Sequence, residues 1–338
     1  MKLSLFFAVL VTIPLRSQPR LSPQLDEMFS SGIHLTFAQD YRGADSVAEL
    51  LSKIFPDHPI GALLKLGILQ AQRMDFELEI NEPLWDSLIR SSTAASENLV
   101  KSGKNELWGK YFRGVALGSE SYKRSEIGNW IGTIAKAMAS TKEFEYVVQK
   151  DSTMYDAFLG IGTYKYWKSR KIEFLQWLPF IFDEREHGIA MLEQTATKSS
   201  YSKLPATVSL AWILFDAKRF SEAVEWSKRG LQKYPRNRQL LWICASSMIE
   251  DGRFSEAELI CTRLIEEYER LTLSHRFFEI VWRNNLRVCL DHQHKYTEAN
   301  AQTEKLASLK SITLPNQFAE RAEEIFSTID RARPSSHQ

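Results

Sequence analysis

Glycine and proline are scarce in this chain, and neither sign of charge is in excess. The 338 residues include 15 Gly and 11 Pro, too few turn residues for an all-β sandwich that turns about every 8 to 12 residues. Lys plus Arg number 43 and Asp plus Glu number 42, which leaves no basic excess to hold a phosphate backbone. We therefore predict no nucleic-acid partner. Hydrophobic residues at 44% and charged residues at 25% are ordinary for a globular protein.

Cysteine is also rare, with three residues at Cys244, Cys261 and Cys289. None stands in a C-x-x-C or other metal-ligand spacing. All three lie within apolar helical patterns, where a free cysteine behaves as a small hydrophobic residue. We expect buried free thiols.

The apolar run at the N-terminus is too short for a membrane span. Met1 and Lys2 precede eleven apolar or small residues from Leu3 to Ile13, whereas a bilayer takes about 20. The pattern predicts a signal peptide over residues 1–17 and export to the periplasm or cell envelope of a bacterium. A retained anchor is the alternative. No cysteine follows the run, so a lipoprotein is not predicted.

An internal repeat predicts the architecture. Arg219-Phe-Ser-Glu-Ala223 recurs identically at Arg253-Phe-Ser-Glu-Ala257, 34 residues later, and Lys295-Tyr-Thr-Glu-Ala299 is related. A period of 34 is typical of stacked helix pairs. One helix is expected before each aromatic residue and a second just after the Ser or Thr, with Ser255 and Glu258 as a capping box.

The repeat pattern resembles the tetratricopeptide repeat family. Its spacing is a small residue, an aromatic residue nine positions on, an Ala three further and a Pro twelve beyond that. The complete matches are Gly32, Tyr41, Ala44, Pro56 and Ala211, Phe220, Ala223, Pro235; the partial matches are Ala245, Phe254, Ala257 and Tyr296, Ala299. The stretch from Tyr155 to Phe182 is similar to uncharacterised exported bacterial tetratricopeptide proteins. It more distantly resembles a eukaryotic outer-mitochondrial-membrane and inclusion-body-clearance family.

The resemblance implies an all-α fold, a right-handed superhelical solenoid of antiparallel helix pairs over residues 18–333, with a disordered tail at 334–338. The segments are clear repeats at 24–57, 204–237 and 238–271, a degenerate repeat at 275–311, irregular helix pairs at 60–150 and an inserted repeat at 153–200. We expect Gly160 to oppose Gly188 in the inserted repeat and Gly67 to be the close-approach residue of an earlier pair.

A long hydrophobic insert is expected near 169–184, between the helices of the inserted repeat. Its large apolar residues are candidate contacts for a partner or a membrane: Phe174, Trp177, Leu178, Phe180 and Phe182. Turns are normally polar, so this segment needs a place to bury itself. The alternatives are packing on its own solenoid, docking on a partner and insertion into a membrane.

The sequence offers little catalytic chemistry. Asp291-His-Gln-His294 is the best metal candidate, but it falls where a turn belongs, so a solvated turn is the alternative. Trp212, Trp226 and Trp242 lie within repeat helices and are expected to pack in the core and between repeats. We predict no catalytic residue, no metal and no cofactor.

The predicted function follows from what stacked helix pairs present to their surroundings. A concave face suits an extended peptide or a partner's helix, so we predict a non-enzymatic interaction scaffold that binds another protein. The alternative is a membrane-associated envelope protein that uses residues 174–182. An enzyme is the third possibility.

Overall fold

The computed structural model describes residues 20–103, 105–173, 182–271, 273 and 275–332. The predicted signal peptide at 1–17 and tail at 334–338 lie outside these residues. The described residues form helices and no strands. The helices are α1 Pro23–Phe37, α2 Tyr41–Ile54, α3 Ile60–Phe76, α4 Glu82–Ser102, α5 Glu106–Glu126, α6 Trp130–Lys150, α7 Ala157–Lys171, α8 Arg185–Lys198, α9 Lys203–Asp216, α10 Phe220–Lys233, α11 Arg238–Glu250, α12 Phe254–Glu269, α13 Phe277–His292, α14 Tyr296–Leu309 and α15 Asn316–Ala332.

Each helix packs against the next one along the chain. This all-helical stack is consistent with an α-solenoid, in which each unit buries its apolar face only against its neighbours. Two hydrophobic cores run through it, one centred on α1–α7 and the other on α8–α15. The three cysteines are free and buried, as predicted.

Five of the turns between consecutive helices share one backbone geometry. Each has a left-handed residue, with φ of 57° to 76°, two positions before the second helix begins. The next N–H donates to a carbonyl five residues earlier at 2.8–3.0 Å, as in a Schellman motif. The left-handed residues are Gln39, Gly128, Lys218, Gly252 and His294.

The turn at Gly128 gives the register of α5 and α6, which the sequence pattern leaves open. Trp130 occupies the place of the repeat aromatics, at the first residue of α6. Nine residues before it, Ser121 Oγ donates to the backbone oxygen of Thr133 at 2.9 Å. This serine and threonine therefore replace the small residue and the alanine of the other repeats.

The expected capping box at Ser255 is wrong. Helix α12 begins at Phe254, so Ser255 lies inside the first turn and Arg253 is the N-cap. Glu258 instead accepts hydrogen bonds from Gln293 Nε2 at 2.8 Å and Lys295 Nζ at 2.7 Å. The capping box fails because the helix starts two residues too early for the serine to be its cap.

In each of the two identical motifs, the Arg forms an ion pair with the Glu three residues after it. Arg219 Nε donates to Glu222 and Arg253 Nε to Glu256, each at 2.7 Å. The Arg253 guanidinium lowers the pKa of Glu256 to about 2. An ionised carboxylate in the first turn is favourable because it faces the positive end of the helix dipole.

Two predictions about glycine contacts are also wrong. A side chain at Gly67 would meet nothing within 4 Å, so Gly67 is not a close-approach residue. Gly162, rather than Gly160, opposes Gly188: a Cβ at Gly162 would lie 2.7 Å from the Gly188 carbonyl oxygen. Gly160 instead faces the ring of Phe144 on α6. The neighbouring glycines differ by two positions, which places them on different faces of α7.

The first helices of the chain contact the second half of the stack through a buried ion pair. Arg238 Nε donates to Asp75 Oδ1 at 2.9 Å, and the second guanidinium nitrogen bonds the other carboxylate oxygen. The Tyr41 hydroxyl donates to the same carboxylate at 3.0 Å. The Arg238 and Asp75 side chains are 6% and 0% exposed. We call Tyr41, Asp75 and Arg238 the clasp.

Further hydrogen bonds extend this contact on both sides of the clasp. Asn237 Nδ2 donates to the Phe37 carbonyl at 2.8 Å, and Gln239 Nε2 donates to the Ala71 carbonyl at 3.0 Å. Near the start of the described chain, Leu21 N donates to Tyr201 Oη at 3.2 Å. The stack thus closes back on itself.

We expect the free energy of unfolding to fall when His58 is protonated. His58 Nδ1 accepts a hydrogen bond from Ile60 N at 3.3 Å, and the ring packs edge-on against Phe112. Burial lowers the pKa of His58 from 6.5 to about 4. Because the folded state disfavours the charged ring, this stability is complete above pH ~6.5 and is lost as the pH falls toward ~4.

Urea unfolding at pH 7 and pH 5 measures this effect. The wild type is expected to lose up to about 2 kcal/mol more than His58→Asn, which keeps an acceptor for Ile60 but does not titrate in this range. Equal losses in the two proteins would contradict the assignment.

Candidate partner-binding surface

The odd-numbered helices form the inner layer of the stack. Contacts join α1 to α3, α3 to α5, α5 to α7, α7 to α9, α9 to α11 and α13 to α15. No comparable contact joins successive even-numbered helices in the described part of the chain. The odd-numbered helices are therefore closer to one another than the even-numbered helices are, and we call them the inner helices.

Aromatic side chains of three successive inner helices contact one another. The ring centroids of Trp212 on α9 and Trp242 on α11 are 4.7 Å apart. Phe215 on α9 and Trp282 on α13 lie 6.1 and 6.0 Å from Trp242. We call these four residues the aromatic ladder. Trp282 is fully buried, whereas the other three are half-buried.

The half-buried members of the aromatic ladder rest on the core of the C-terminal half. Trp212 also has an indole N–H with no hydrogen-bond acceptor among the described residues. A donor shielded from water costs about 1–3 kcal/mol when it is unpaired.

A polar cluster borders the aromatic ladder at the end of α9. The Tyr166 hydroxyl donates to Asp216 Oδ2 at 2.6 Å, and Arg170 Nε donates to the same oxygen at 3.0 Å. Burial, followed by the bond to Asp216, raises the pKa of Tyr166, so its hydroxyl stays a neutral donor at physiological pH. An apolar centre with a charged rim is the usual composition of a protein-binding surface.

Contacts next to the clasp limit how far this surface extends along α11. Gln239, in the first turn of α11, is already engaged by the carbonyl of Ala71 on α3. Trp242 lies one turn further along α11 and remains half-buried. At the first turn of α11, the inner face is therefore covered by helix α3 of the same chain. Beyond that turn, the inner face presents aromatic side chains.

The repeat residues predicted from the sequence occupy equivalent places. The alanines are at most 2% exposed: Ala44, Ala211, Ala223, Ala245, Ala257 and Ala299. The aromatics are the first residues of the second helices: Tyr41, Phe220, Phe254 and Tyr296. Pro56 and Pro235 each stand two residues after the end of a second helix. Gly32 faces Leu64 on α3.

The hydrophobic insert is described only at its edges. Phe174, Trp177, Leu178 and Phe180 lie outside the described residues, and Phe182 is 74% exposed. Helix α7 continues to Lys171 and α8 begins at Arg185, so the two helices are joined by residues 172–184. Within the expected insert at 169–184, the first three residues belong to α7.

The metal candidate at Asp291–His294 spans the last two residues of α13 and the turn that follows. His294 is the left-handed residue between α13 and α14, and its Nδ1 lies 2.9 Å from the Tyr296 hydroxyl. No cluster of three or more potential metal ligands occurs in the residues the structure describes. Within the same residues, none of the helices combines the length and apolarity of a membrane span.

The prediction that Trp212, Trp226 and Trp242 pack against the core is confirmed, and Trp212 and Trp242 also contact each other between repeats. The sequence did not indicate that these contacts form a continuous aromatic ladder. The available signal was that both tryptophans lie within three residues of the small residues of the inner helices, Ala211 and Ala245. Comparison with known proteins adds no further signal, because no family model and no curated protein matches the chain.

Proposed function

We propose that this protein is a non-enzymatic interaction scaffold that binds a peptide or a helix of another protein on the inner side of its stack. The three half-buried members of the aromatic ladder, Trp212, Phe215 and Trp242, are the observation that supports this function. Aromatic side chains anchor protein interfaces because they bury a large apolar area at a small cost in conformational entropy. Asp216 and Arg170 supply a charged border that would orient a bound chain.

The proposal includes the finer architecture of a tetratricopeptide-like solenoid, with antiparallel helix pairs in a right-handed superhelix. The recurrent turn at five helix junctions supports the pairing, since its short connection reverses the chain. The segments proposed as repeats each contain two helices, as at 24–57 and 238–271. Helix α15 follows the last pair and packs on α13.

We also propose export to the periplasm or cell envelope of a bacterium, with residues 1–17 as the signal peptide. The short apolar run after Lys2 and the absence of a following cysteine support this location. N-terminal sequencing of the protein isolated from its own cells tests it. A mature chain beginning near Gln18 is expected, and soluble cytoplasmic protein that retains Met1 would contradict export.

Replacing two residues of the aromatic ladder tests the proposed function. Trp212→Ala together with Trp242→Ala is expected to reduce capture of the partner from the protein's own organism by at least about tenfold, as loss of aromatic anchors does. Trp226→Ala is the matched control, because Trp226 is half-buried on the outer helix α10 under Arg229. Circular dichroism and urea unfolding confirm that each variant is folded.

The comparison is made at equal concentrations of folded protein. Undiminished capture by the double variant, or an equal loss in the Trp226→Ala control, would contradict binding on the inner face.

A further inference from the structure

Helix α6 carries an apolar stripe on its solvent face. The stripe consists of Ile127 just before the helix, then Trp130, Ile131, Ile134 and Met138, which are 44%, 58%, 86%, 59% and 45% exposed. The spacing of these residues places them along one side of the first half of the helix. We call them the α6 stripe.

The second half of the same helix has an ordinary polar exterior. Lys142, Glu145 and Gln149 continue the exposed face. The apolar character is therefore confined to the end of α6 that adjoins the C-terminus of α7. Contiguous apolar patches of this kind are uncommon on soluble monomers and mark binding surfaces for proteins or membranes.

Cations flank the α6 stripe and outnumber the carboxylates that face them. Arg124 Nη2 and Lys136 Nζ share the single carboxylate of Glu120, at 2.7 and 2.8 Å. Lys171, at the end of α7, lies over the ring of Trp130 at 5.8 Å. In the described part of the chain, no carboxylate pairs with Lys171.

Two further acids lie close in sequence to the stripe or to Lys171, and both are paired with other cations. Glu126 precedes Ile127 and is paired with Arg73 of α3, and Glu173 follows Lys171 by two residues and is paired with Arg170 and Arg185. Three cations and one shared carboxylate therefore border the stripe.

We propose that the α6 stripe docks on the surface of an anionic phospholipid bilayer. Isoleucine and methionine side chains would enter the acyl boundary, with Trp130 at the headgroup level, where an apolar ring with a polar N–H is favoured. Arg124, Lys136 and Lys171 would face the lipid phosphates. The attachment is peripheral, since the stripe covers only one face of α6.

The charges favour a lipid surface over a second copy of this chain. In a symmetric dimer through the α6 stripe, each cation border would meet an identical border. Like charges brought together in this way oppose association, whereas anionic headgroups complement them. The inference goes beyond the proposed scaffold function, because the stripe lies on an outer helix and the aromatic ladder lies on inner ones.

A fluorophore at the centre of the α6 stripe tests the proposal directly. We would attach nitrobenzoxadiazole to Ile131→Cys in the full chain, with Leu259→Cys as the matched control. Leu259 is 67% exposed on α12, and the three native cysteines are buried. Emission from position 131 is expected to shift to shorter wavelength and rise about twofold or more with phosphatidylglycerol-containing vesicles, as a probe entering apolar surroundings does.

The same probe at position 259 is expected to be unchanged, and vesicles of phosphatidylcholine alone are expected to give a weaker response at position 131. An unchanged spectrum at position 131 with the anionic vesicles would overturn the proposal. An equal response at both positions would also overturn it.

Flotation of a charge variant provides the second test. Ile131→Glu together with Ile134→Glu is expected to lower the fraction of full-length protein that floats with the anionic vesicles by at least about tenfold, while Leu259→Glu floats like the wild type. Flotation of the double variant at the wild-type level would overturn the α6 stripe as the lipid contact. A wild-type protein that does not float, but forms a dimer abolished by the double variant, would assign the stripe to self-association instead.

Discussion

Replacing Arg238 by Met is expected to lower the free energy of unfolding by about 3–5 kcal/mol, because it leaves the Asp75 carboxylate buried without its cation. Asp75 has a fully buried side chain, and its remaining bond is to the Tyr41 hydroxyl. The same change also removes the guanidinium from the ring of Phe76, which it covers at 5.2 Å. Urea unfolding at pH 7 measures the loss.

Arg236→Met is the control for Arg238→Met. Arg236 lies two residues earlier, is 65% exposed and pairs with Glu267 at 2.9 Å. The Glu267 side chain is buried but keeps a second cation, Arg270, at 2.7 Å, so a loss of about 1 kcal/mol or less is expected from removing the exposed Arg236. Adding Asp75→Asn to Arg238→Met is expected to cost less than the sum of the single changes, because the two side chains interact. A loss below about 1 kcal/mol for Arg238→Met would mean that the clasp does not hold the two halves together.

Gly188→Val is expected to have the second large effect. A Cβ at Gly188 would lie 2.6 Å from the Gly162 carbonyl oxygen and 3.0 Å from the Tyr166 amide nitrogen. Both neighbours are backbone atoms, so α7 and α8 would have to separate. We expect a loss of about 3 kcal/mol or more in the free energy of unfolding.

Gly67→Ala is the matched control for Gly188→Val. Gly67 is also inside a helix, but nothing lies within 4 Å of a Cβ built there. Removing backbone freedom in the unfolded chain is expected to stabilise the protein by about 0.5–1 kcal/mol. The account of the α7–α8 contact would be contradicted if Gly188→Val were neutral or if the two changes had the same sign.

The repeat pattern predicts the local structure because its residues act within a short stretch of chain. Phe220 and Phe254 begin their helices as the 34-residue period indicates, to within two residues. Ala223 and Ala257 are buried at that same period because each follows its aromatic by three residues, one turn along the same helix. The pattern places the N-cap wrongly at Ser255. Ser, Thr and Glu near the start of a helix are compatible with several positions for its first residue.

The contacts that close the stack are not readable from the same pattern. Asp75 and Arg238 are separated by 163 positions, and no local periodicity selects one arginine among many as the partner of one buried aspartate. For a related reason, the sequence does not show that the α6 stripe is exposed to solvent. An apolar face at helical spacing gives the same sequence signal whether a neighbouring helix covers it or not.

The choice of Gly162 over Gly160 depends on the crossing of α7 with α8. Two glycines two positions apart in one helix point to different neighbours, here Gly188 and Phe144. The sequence shows both glycines but not the angle at which the helices cross.

Photo-crosslinking in living cells tests the central claim, that the aromatic ladder is the surface that binds another protein. Benzoylphenylalanine would replace Phe215 on inner helix α9, with the same replacement of Trp226 on outer helix α10 as the control. We expect ultraviolet light to join position 215 to one defined protein, and Trp212→Ala with Trp242→Ala to abolish that adduct. No protein adduct at position 215, or the same adduct at position 226, would contradict the claim.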